Sequence, residues 1–282
     1  KGINAKWSNW KFDDWFWFLC LWDFQKQTRS KTSLSKIKGK VSNLSLYFLL
    51  LNKRRKEMLK EKKVTAVVLV AGNSTRYGKN RNKNFERIHG KTVLGYSLKE
   101  FDQNLSIDDI LVVAKKDEFS QVQEILKEEN VKKKVTLIPG GETRKESVYH
   151  AIQSTDAPIV MIQDGARPGL KQRYIDVCLE NMEKYKGVTI GVKSKDTVKI
   201  TDDHQIVLET TKRSNTWLIQ TPQCFDRVTL LKAHEKYEDE EVTDDCMLLE
   251  KEHNPVKILE GDDTNRKITT PEDFEMMKNF LS

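Results

Sequence analysis

The stretch VTAVVLVAGNSTRYGKNRNKNF, residues 64–85, decides how the chain folds, because an apolar run passes directly into a basic loop. The first nine residues are small or β-branched and end at a glycine, as expected of a strand buried on both faces of a parallel sheet. The loop then carries Arg76, Lys79, Arg81 and Lys83. Cations this dense repel one another unless an anion lies among them. The loop therefore predicts a site for a strongly anionic ligand, and we expect a nucleoside triphosphate.

The chain beyond this stretch alternates between strand-like and helix-like segments. Further strands are predicted within 108–115, 133–141, 158–168 and 187–193, and helices within 91–104, 117–130, 144–153 and 171–185. This alternation predicts right-handed crossovers and an α/β fold, with a Rossmann-like, mainly parallel sheet flanked by helices. After a break, we expect a strand at 217–225, a helix around 227–237, an acidic turn at 238–250, a strand at 255–261 and a closing helix from Pro271.

The break is the segment TVKITDDHQIVLETTKR, residues 197–213, which consists of two alternating runs around a polar turn. Such a pattern predicts a β-hairpin. A hairpin inserted into an α/β chain has no crossover partner of its own. It is therefore either an edge ribbon or an arm, over about residues 195–216, that reaches a second subunit.

The net positive charge of the chain comes from its N-terminal segment. The formal net charge is +7, but residues 1–57 hold 13 Lys/Arg against 4 Asp/Glu, which leaves 36 basic and 38 acidic residues in 58–282. The remainder is near neutral, so the charge distribution argues against a nucleic-acid partner.

Two apolar clusters in the N-terminal segment, residues 15–22 and 44–51, are each about eight residues long. A membrane-spanning helix needs roughly 20 residues, so we expect no stable membrane insertion. Three interpretations of residues 1–57 remain: a cleaved targeting peptide, a membrane-surface anchor, or sequence outside the working protein. We favour the last and expect one functional domain over residues 58–282. Four cysteines without a CxxC pair indicate a reducing, cytoplasmic compartment, or a plastid-type organelle if residues 1–57 are a transit peptide.

Polar residues and glycines follow the predicted strands, where open parallel sheets bind their ligands. Gly72 and Lys83 follow the first strand, a Gly-Gly pair with Arg144 and Ser147 follows the third, and Asp164 ends the fourth. Glycines let backbone amides approach phosphate oxygens, cations balance the charge of a phosphate under attack, and an aspartate at a strand end suits Mg²⁺. The sequence offers no Ser-His-Asp, Cys-His or paired-His pattern, so no covalent intermediate is indicated.

Each of these residues also has a plain structural interpretation. Arg76 and Lys83 are also typical of solvated loop cations, Asp164 of a turn former, and Lys267 of an ordinary surface charge. The glycine loop matches neither GxGxxG nor a GKT/GKS phosphate loop. Their convergence on one sheet edge favours the functional interpretation.

Seven motifs in order, over residues 64–281, resemble those of the sugar-phosphate cytidylyltransferases. AGNSTRYG with KNF is similar to AAGxGxRMG with PKQF, GGETRKESV to GGxxRxxSV, QDGARP to HDAARP, and KDTVK to xDTxK. RSNTWLIQTPQCF is similar to RxxLWxxQTPQxF, VTDD to TDDA, and DTNRKITTPEDF to xxNIKITTPEDL. The resemblance is strongest to the methylerythritol phosphate cytidylyltransferases of the non-mevalonate isoprenoid pathway.

The resemblance implies a reaction in which the phosphate of 2-C-methyl-D-erythritol 4-phosphate attacks the α-phosphorus of CTP and pyrophosphate leaves, assisted by Mg²⁺. It implies a homodimer in which the arm reaches the neighbouring subunit. It also implies roles for twelve residues. Catalytic roles fall on Arg76, Lys83 and Lys267; nucleotide binding on Ala71, Gly72, Gly141, Glu142, Ser147 and Asp164; alditol-phosphate binding on Asp164, Arg167, Thr197, Arg213 and Lys267; and metal binding on Asp164.

The chain departs from the family pattern at several loop positions, while every charged role remains filled. Ser74 stands for a glycine, Asn82 for Pro, Asn84 for Gln, Gln163 for His, Gly165 for Ala and Thr216 for Leu. Two other functions remain open: a ribitol 5-phosphate cytidylyltransferase of teichoic acid synthesis, and a non-catalytic nucleotide-binding module. The DGARP motif favours the methylerythritol enzyme over the ribitol enzyme, which tends to carry Ser-Val where Gly165 and Ala166 stand.

Overall fold

The computed structural model describes residues 62–72, 77 and 82–282. A single large sheet organises this part of the chain. Its seven strands are β1 (Val64–Leu69), β4 (Asp109–Ala114), β5 (Lys134–Pro139), β6 (Ile159–Asp164), β7 (Gly187–Lys193), β10 (Trp217–Asp226) and β11 (Val256–Glu260), in the spatial order β11-β7-β10-β6-β1-β4-β5. Strand β10 runs antiparallel to both neighbours, while the other pairings are parallel. The predicted α/β class with a mainly parallel sheet is confirmed.

Six helices cover the two faces of this sheet. One face carries α1 (Val93–Gln103), α2 (Phe119–Glu128) and α4 (Gln172–Asn181), and the other carries α3 (Arg144–Gln153), α5 (Arg227–Lys236) and α6 (Cys246–Lys251). The last helix, α7 (Pro271–Phe280), packs with Tyr77 and Ile88 in a separate small cluster. Alternate residues of β1 face opposite layers, because side chains along a strand alternate between faces. The apolar run at the start of the decisive stretch is therefore buried on both sides.

Side-chain caps set the starts of several helices. Thr92 accepts a hydrogen bond from the Gly95 amide at 3.0 Å to start α1, and Thr143 accepts one from the Glu146 amide at 3.1 Å to start α3. Such caps satisfy amides that lack a partner inside the helix, and each is worth about 1 kcal/mol. The cap at Thr143 matters for the site, because α3 begins directly after the Gly-Gly pair.

The predicted hairpin is confirmed as β8 (Lys199–Thr201) and β9 (Val207–Thr210), which pair antiparallel with each other and form a sheet of their own. A second small ribbon, β2 (Arg87–Ile88) with β3 (Lys91–Thr92), was not predicted, because its strands are two residues long. No helix among the described residues is long and apolar enough to cross a membrane.

One element differs from the sequence-based expectation. Residues 238–250 were predicted as an acidic turn, but α6 begins at Cys246. Leu248 and Leu249 are fully buried against the sheet, so apolar packing overrides the acidic composition around them. The predicted N-terminal extension over 1–57 and its boundary lie outside the described residues and stay a prediction.

Candidate active site

Asp164 lies at the centre of the candidate site, as the last residue of β6. Its carboxylate is within ion-pair distance of three cations: Lys267 Nζ at 3.1 Å, Arg167 Nε at 3.2 Å and Arg144 Nε at 3.5 Å. The Asp164 side chain is only 9% exposed. The end of one central strand therefore gathers cations from three separate segments of the chain.

The surrounding charges keep Asp164 ionised. Burial alone would raise the pKa of this carboxyl, but Lys267, Arg144 and Arg167 outweigh burial and hold the pKa well below its usual range. Arg144 also pairs with the carboxylate of Asp245, so the three cations exceed the two carboxylates by one positive charge. The described part of the site therefore has a surplus of positive charge, which an anionic ligand would balance.

Arg144 connects Asp164 to a second buried carboxylate. Its Nη1 donates to Asp245 Oδ2 at 2.7 Å, and the Asp245 side chain has no exposed surface. Burial would raise the pKa of Asp245, whereas Arg144 and His234 lower it, with a net downward shift. His234 Nε2 lies 3.4 Å from Asp245 Oδ1, and its ring stacks on Tyr149. The first residue of α3 is thus held between the end of β6 and the start of α6.

A buried hydrogen-bond network fixes the backbone around Asp164. The Asp164 amide donates to Thr221 Oγ1 at 3.0 Å, and Thr221 Oγ1 donates to Gln163 Oε1 at 2.9 Å. Gln163 Nε2 in turn donates to the Arg167 carbonyl at 3.2 Å, and Arg167 Nη1 donates to the Asn265 carbonyl at 3.0 Å. Gln163 stands where the similar family carries His. Its amide joins β6 to β10 and to the backbone of Arg167, whose guanidinium in turn reaches the loop before Lys267, so the site is hydrogen-bonded here without a histidine.

Two cavities meet at Asp164. The first, which we call the glycine pocket, has a volume of about 420 Å³. It lies where β1, β4, β5 and β6 end. The side chains and backbone that line it are Leu69, Ala71, Gly72, Lys83, Asn84, Lys115, Gly140, Gly141, Glu142, Thr143, Arg144, Ser147, Asp164, Ala166 and Lys267. Backbone near glycines and four basic residues suit a polyphosphate, since amides and cations both bind phosphate oxygens.

The glycine pocket is shaped by the loop before α3. Ser147 Oγ accepts a hydrogen bond from the Gly141 amide at 3.1 Å, and Glu146 accepts one from the Glu142 amide at 2.7 Å. The loop is therefore tied to the first turn of the helix that follows it. The six residues predicted to bind nucleotide, Ala71, Gly72, Gly141, Glu142, Ser147 and Asp164, all line this pocket.

The second cavity, which we call the threonine pocket, has a volume of about 440 Å³. It shares Arg144, Asp164 and Lys267 with the glycine pocket and lies beside β10. Its other lining residues are Arg167, Thr189, Ile219, Gln220, Thr221, Gln223, Thr243, Asp244, Cys246, Met247, Glu250, Val256 and Ile258. Hydroxyls and amides lie near the shared wall, whereas Ile219, Met247 and Ile258 provide apolar surface. This mixture suits a small polar molecule that also carries an apolar group.

Three predicted residues lie outside both pockets or outside the described part of the chain. Thr197 and Arg213 meet at the base of the hairpin, where Arg213 Nη2 lies 3.3 Å from Thr197 Oγ1, and both are exposed. Neither lines a pocket of this chain. Arg76 lies outside the described residues, so its role stays a prediction.

Comparisons with known proteins agree with this geometry. A sequence model of the 2-C-methyl-D-erythritol 4-phosphate cytidylyltransferase family matches residues 64–282. A family enzyme from Caldanaerobacter subterraneus is 41% identical over 77% of this chain and 98% of its own length. One from Clostridium novyi is 39% identical over 77% of this chain and 95% of its own length.

The chain belongs to the 2-C-methyl-D-erythritol 4-phosphate cytidylyltransferase family. Among solved structures, the 4-diphosphocytidyl-2C-methyl-D-erythritol synthase of Anaerococcus prevotii matches with a TM-score of 0.72 and 30% identity, covering 80% of this chain and 98% of that one. The predicted family resemblance is confirmed. The sheet and its hairpin therefore belong to a family of cytidylyltransferases.

Some residues of the site were not assigned a role from the sequence. Lys115 lines the glycine pocket directly after β4, and its signal was a basic residue at a strand end. Asp245 belongs to the VTDD motif, but only the structure shows that it pairs with Arg144. Thr243, from the VTDD motif, and Gln220, from the WLIQTPQ motif, line the threonine pocket.

Proposed function

We propose that this chain transfers CMP from CTP to 2-C-methyl-D-erythritol 4-phosphate and releases pyrophosphate. The observation that carries the proposal is the wall of Arg144, Asp164 and Lys267 shared by two adjoining cavities of similar size. A transfer between two substrates needs both to be held with their reacting atoms adjacent. The shared wall is where such atoms would meet, and the family membership names the two substrates.

In this proposal CTP occupies the glycine pocket. The backbone at Gly72 and the ammonium groups of Lys83 and Lys115 face the triphosphate, and the Gly140–Gly141 loop, which Ser147 holds, faces the base. The acceptor occupies the threonine pocket, with its phosphate against Lys267. One phosphate oxygen of the acceptor attacks the α-phosphorus of CTP, a new P–O bond forms, and the bond to the β-phosphate breaks. The cations of the shared wall balance charge that grows during transfer.

We also propose Mg²⁺ as the cofactor, held by Asp164. The described residues contain no group of three His, Cys, Asp or Glu placed to hold a metal ion. A single carboxylate fits Mg²⁺ that takes its remaining ligands from phosphate oxygens and water, which is its usual habit in nucleotide sites. When bound, Mg²⁺ would neutralise phosphate charge. Lys267 is 35% exposed, so its ammonium has room to move from Asp164 to a phosphate.

The apolar surface of the threonine pocket supports methylerythritol phosphate over ribitol phosphate. The C2 methyl group of the former has no counterpart in ribitol, and Ile219, Met247 and Ile258 offer it apolar contact. One buried methyl group is worth roughly 1–3 kcal/mol of discrimination. This pocket is therefore better matched to an acceptor that carries a methyl group.

The experiment that tests the proposal measures pyrophosphate release with CTP and either alditol phosphate. We expect turnover with methylerythritol phosphate, slower turnover with ribitol 5-phosphate, and loss of activity on chelation that added Mg²⁺ restores. Faster turnover of ribitol 5-phosphate would favour the teichoic acid enzyme instead. CTP binding without pyrophosphate release from either acceptor would favour a non-catalytic module.

We further propose that the chain is a homodimer joined through the hairpin. Ile206, Val207 and Leu208 are 63%, 52% and 67% exposed, and several exposed apolar side chains on one element are typical of an interface. In such a dimer Thr197 and Arg213 would act in the partner's site rather than in their own. Sedimentation velocity tests this: the unaltered chain should sediment as a dimer, and Leu208→Asp should sediment as a monomer with reduced activity. A fully active monomer would refute it.

A cytoplasmic location is part of the same proposal. The cysteines that the structure describes, Cys178, Cys224 and Cys246, are unpaired and buried, as suits a reducing compartment. Cell fractionation with an antibody to the chain would test it, and recovery in an organelle or membrane fraction would contradict it.

A further inference from the structure

Lys83 lies between two asparagines and is the first residue of a single 3₁₀ turn, Lys83–Phe85. Asn82 caps this turn: its Oδ1 accepts hydrogen bonds from the Asn84 amide at 3.1 Å and from Asn84 Nδ2 at 2.7 Å. The turn places Lys83 in the lining of the glycine pocket. A lysine side chain has four rotatable bonds, so a fixed backbone below it limits where its ammonium can reach.

The same two side chains tie the turn to the end of β1. Asn82 Nδ2 donates to the Val70 carbonyl at 3.0 Å, and Asn84 Nδ2 donates to that carbonyl at 3.3 Å. Val70 is itself held to the neighbouring strand, because its amide donates to the Val113 carbonyl at 2.8 Å. The turn is therefore anchored to the rigid sheet edge that forms the pocket floor, and Asn84 is only 4% exposed.

A third contact reaches the far side of the pocket. Asn82 Nδ2 also donates to Glu118 Oε1 at 3.0 Å, and the other carboxylate oxygen of Glu118 accepts from the Lys115 amide at 3.4 Å. Lys115 lines the same pocket as Lys83. Asn82 thus links the two lysine-bearing segments that follow β1 and β4.

Gly165 provides the space that Asn84 fills. A Cβ atom at position 165 would lie 2.9 Å from Asn84 Oδ1 and 2.9 Å from the Leu69 carbonyl oxygen, closer than side chains normally approach. The Gly165 amide donates to that Leu69 carbonyl at 2.8 Å. The similar family carries Pro, Gln and Ala where this chain has Asn82, Asn84 and Gly165. These three departures meet at one place in the fold.

We propose that Asn82 and Asn84 form a hydrogen-bonded brace, with room provided by Gly165, that positions Lys83 for the triphosphate. Both asparagines are positioning residues, since they act through Lys83. The brace does the work that a proline does by fixing φ: Asn82 has φ −70°, within the range that a proline ring imposes. This inference rests on the proposed function, because it assigns Lys83 to the triphosphate of CTP.

A double-mutant cycle tests whether the brace acts through Lys83. The variants are Asn82→Ala with Asn84→Ala, Lys83→Met, and all three changes together, and the readouts are kcat, the KM for CTP and the melting temperature. We expect the two alanines to lower kcat/KM for CTP about tenfold in the native background and less than twofold in the Lys83→Met background. An equal loss in both backgrounds would show that the asparagines serve the fold alone, and would overturn the proposal.

Two further variants test the brace: one keeps the backbone angle at position 82, and the other is a control outside the pockets. Asn82→Pro keeps the backbone angle, so it should retain at least three times the kcat/KM of Asn82→Ala; equal or lower activity would count against the brace. Asn181→Ala is the matched control, because Asn181 donates to the Val177 carbonyl at 2.9 Å in α4 and lines neither pocket. Its kcat/KM should equal that of the native chain. A tenfold loss of kcat/KM in Asn181→Ala would show that the loss in the Asn82→Ala, Asn84→Ala variant does not depend on Lys83, and would overturn the proposal.

Failure of the brace and failure of the proposed function give different results. If the native chain binds CTP but releases no pyrophosphate, the proposed function is wrong. The cycle is then measured by calorimetry as CTP affinity, with the same expectation of about tenfold loss with Lys83 present and less than twofold without it. Equal losses in that measurement would still refute the brace.

Discussion

Replacing Lys267 by methionine gives the most direct test of the shared wall. Methionine keeps most of the length of the side chain and removes the charge that lies 3.1 Å from Asp164. Asp164 keeps Arg167 at 3.2 Å and Arg144 at 3.5 Å, so the carboxylate stays compensated. We therefore expect a loss of stability below about 1 kcal/mol, as for a partly exposed ion pair.

The effect on catalysis should be larger than the effect on stability. A unit charge about 4 Å from a phosphate oxygen is worth about 4 kcal/mol at an effective dielectric constant near 20. The Lys267 side chain is 35% exposed, so solvent screens part of that interaction. We expect a loss of about 2–3 kcal/mol in the transition state, which corresponds to roughly a 30- to 150-fold lower kcat/KM.

The assay is pyrophosphate release at saturating Mg²⁺, with CTP and methylerythritol phosphate each varied. Lys278→Met is the matched control, because Lys278 pairs with Glu275 at 2.7 Å on α7 and lines neither pocket. Both variants should melt within a few degrees of the native chain. If Lys267→Met keeps more than a third of the native kcat/KM while the control is unaffected, Lys267 takes no part in the transfer.

Three other substitutions have expected outcomes that standard measurements can check. Asp245→Asn breaks the buried pair with Arg144 and should lower the free energy of unfolding in urea by about 3 kcal/mol. Because the folded state lowers the pKa of Asp245, this loss of stability should be constant from pH 5 to 8 and shrink below roughly pH 4. A loss that is unchanged at pH 3 would contradict the pairing. Gly169→Ala would place a Cβ atom 1.8 Å from the Thr264 carbonyl oxygen, so the melting temperature should drop by an amount equivalent to about 3 kcal/mol. An unchanged melting temperature would show that this loop moves freely. Ser147→Ala removes the hydroxyl that holds the glycine-pocket loop at 3.1 Å and should raise the KM for CTP several-fold with little change in melting temperature; an unchanged KM would remove Ser147 from nucleotide binding.

The strands and most helices were predictable because their signals are local. The central strands β1 and β4 each show a β-branched run, and α1 and α3 each start at a threonine cap. The two-residue strands β2 and β3 and the start of α6 were not predictable, because packing rather than local pattern decides them. Leu248 shows this: its burial depends on a sheet face that lies far away in the sequence.

The candidate site was predictable only in part, for the same reason. Glycines and cations after strands indicated Lys83 and Asp164, since strand ends in a parallel sheet share one edge. The sequence pattern also placed Lys267, which follows β11, near this edge, and the family resemblance gave it a role. No local pattern indicates that Arg144 joins Asp164 to Asp245, because three segments separated by up to about a hundred residues meet there. The brace around Lys83 was visible in the sequence only as unexplained departures.

The wall common to the glycine and threonine pockets implies that the two ligands influence each other's affinity. Lys267 can turn its ammonium toward an anion on either side only by loosening its hold on Asp164. If CTP strengthens acceptor binding by some factor, thermodynamic linkage requires the acceptor to strengthen CTP binding by the same factor. A single compound that spans both cavities would gain from that coupling, and would need to place negative charge at the shared wall.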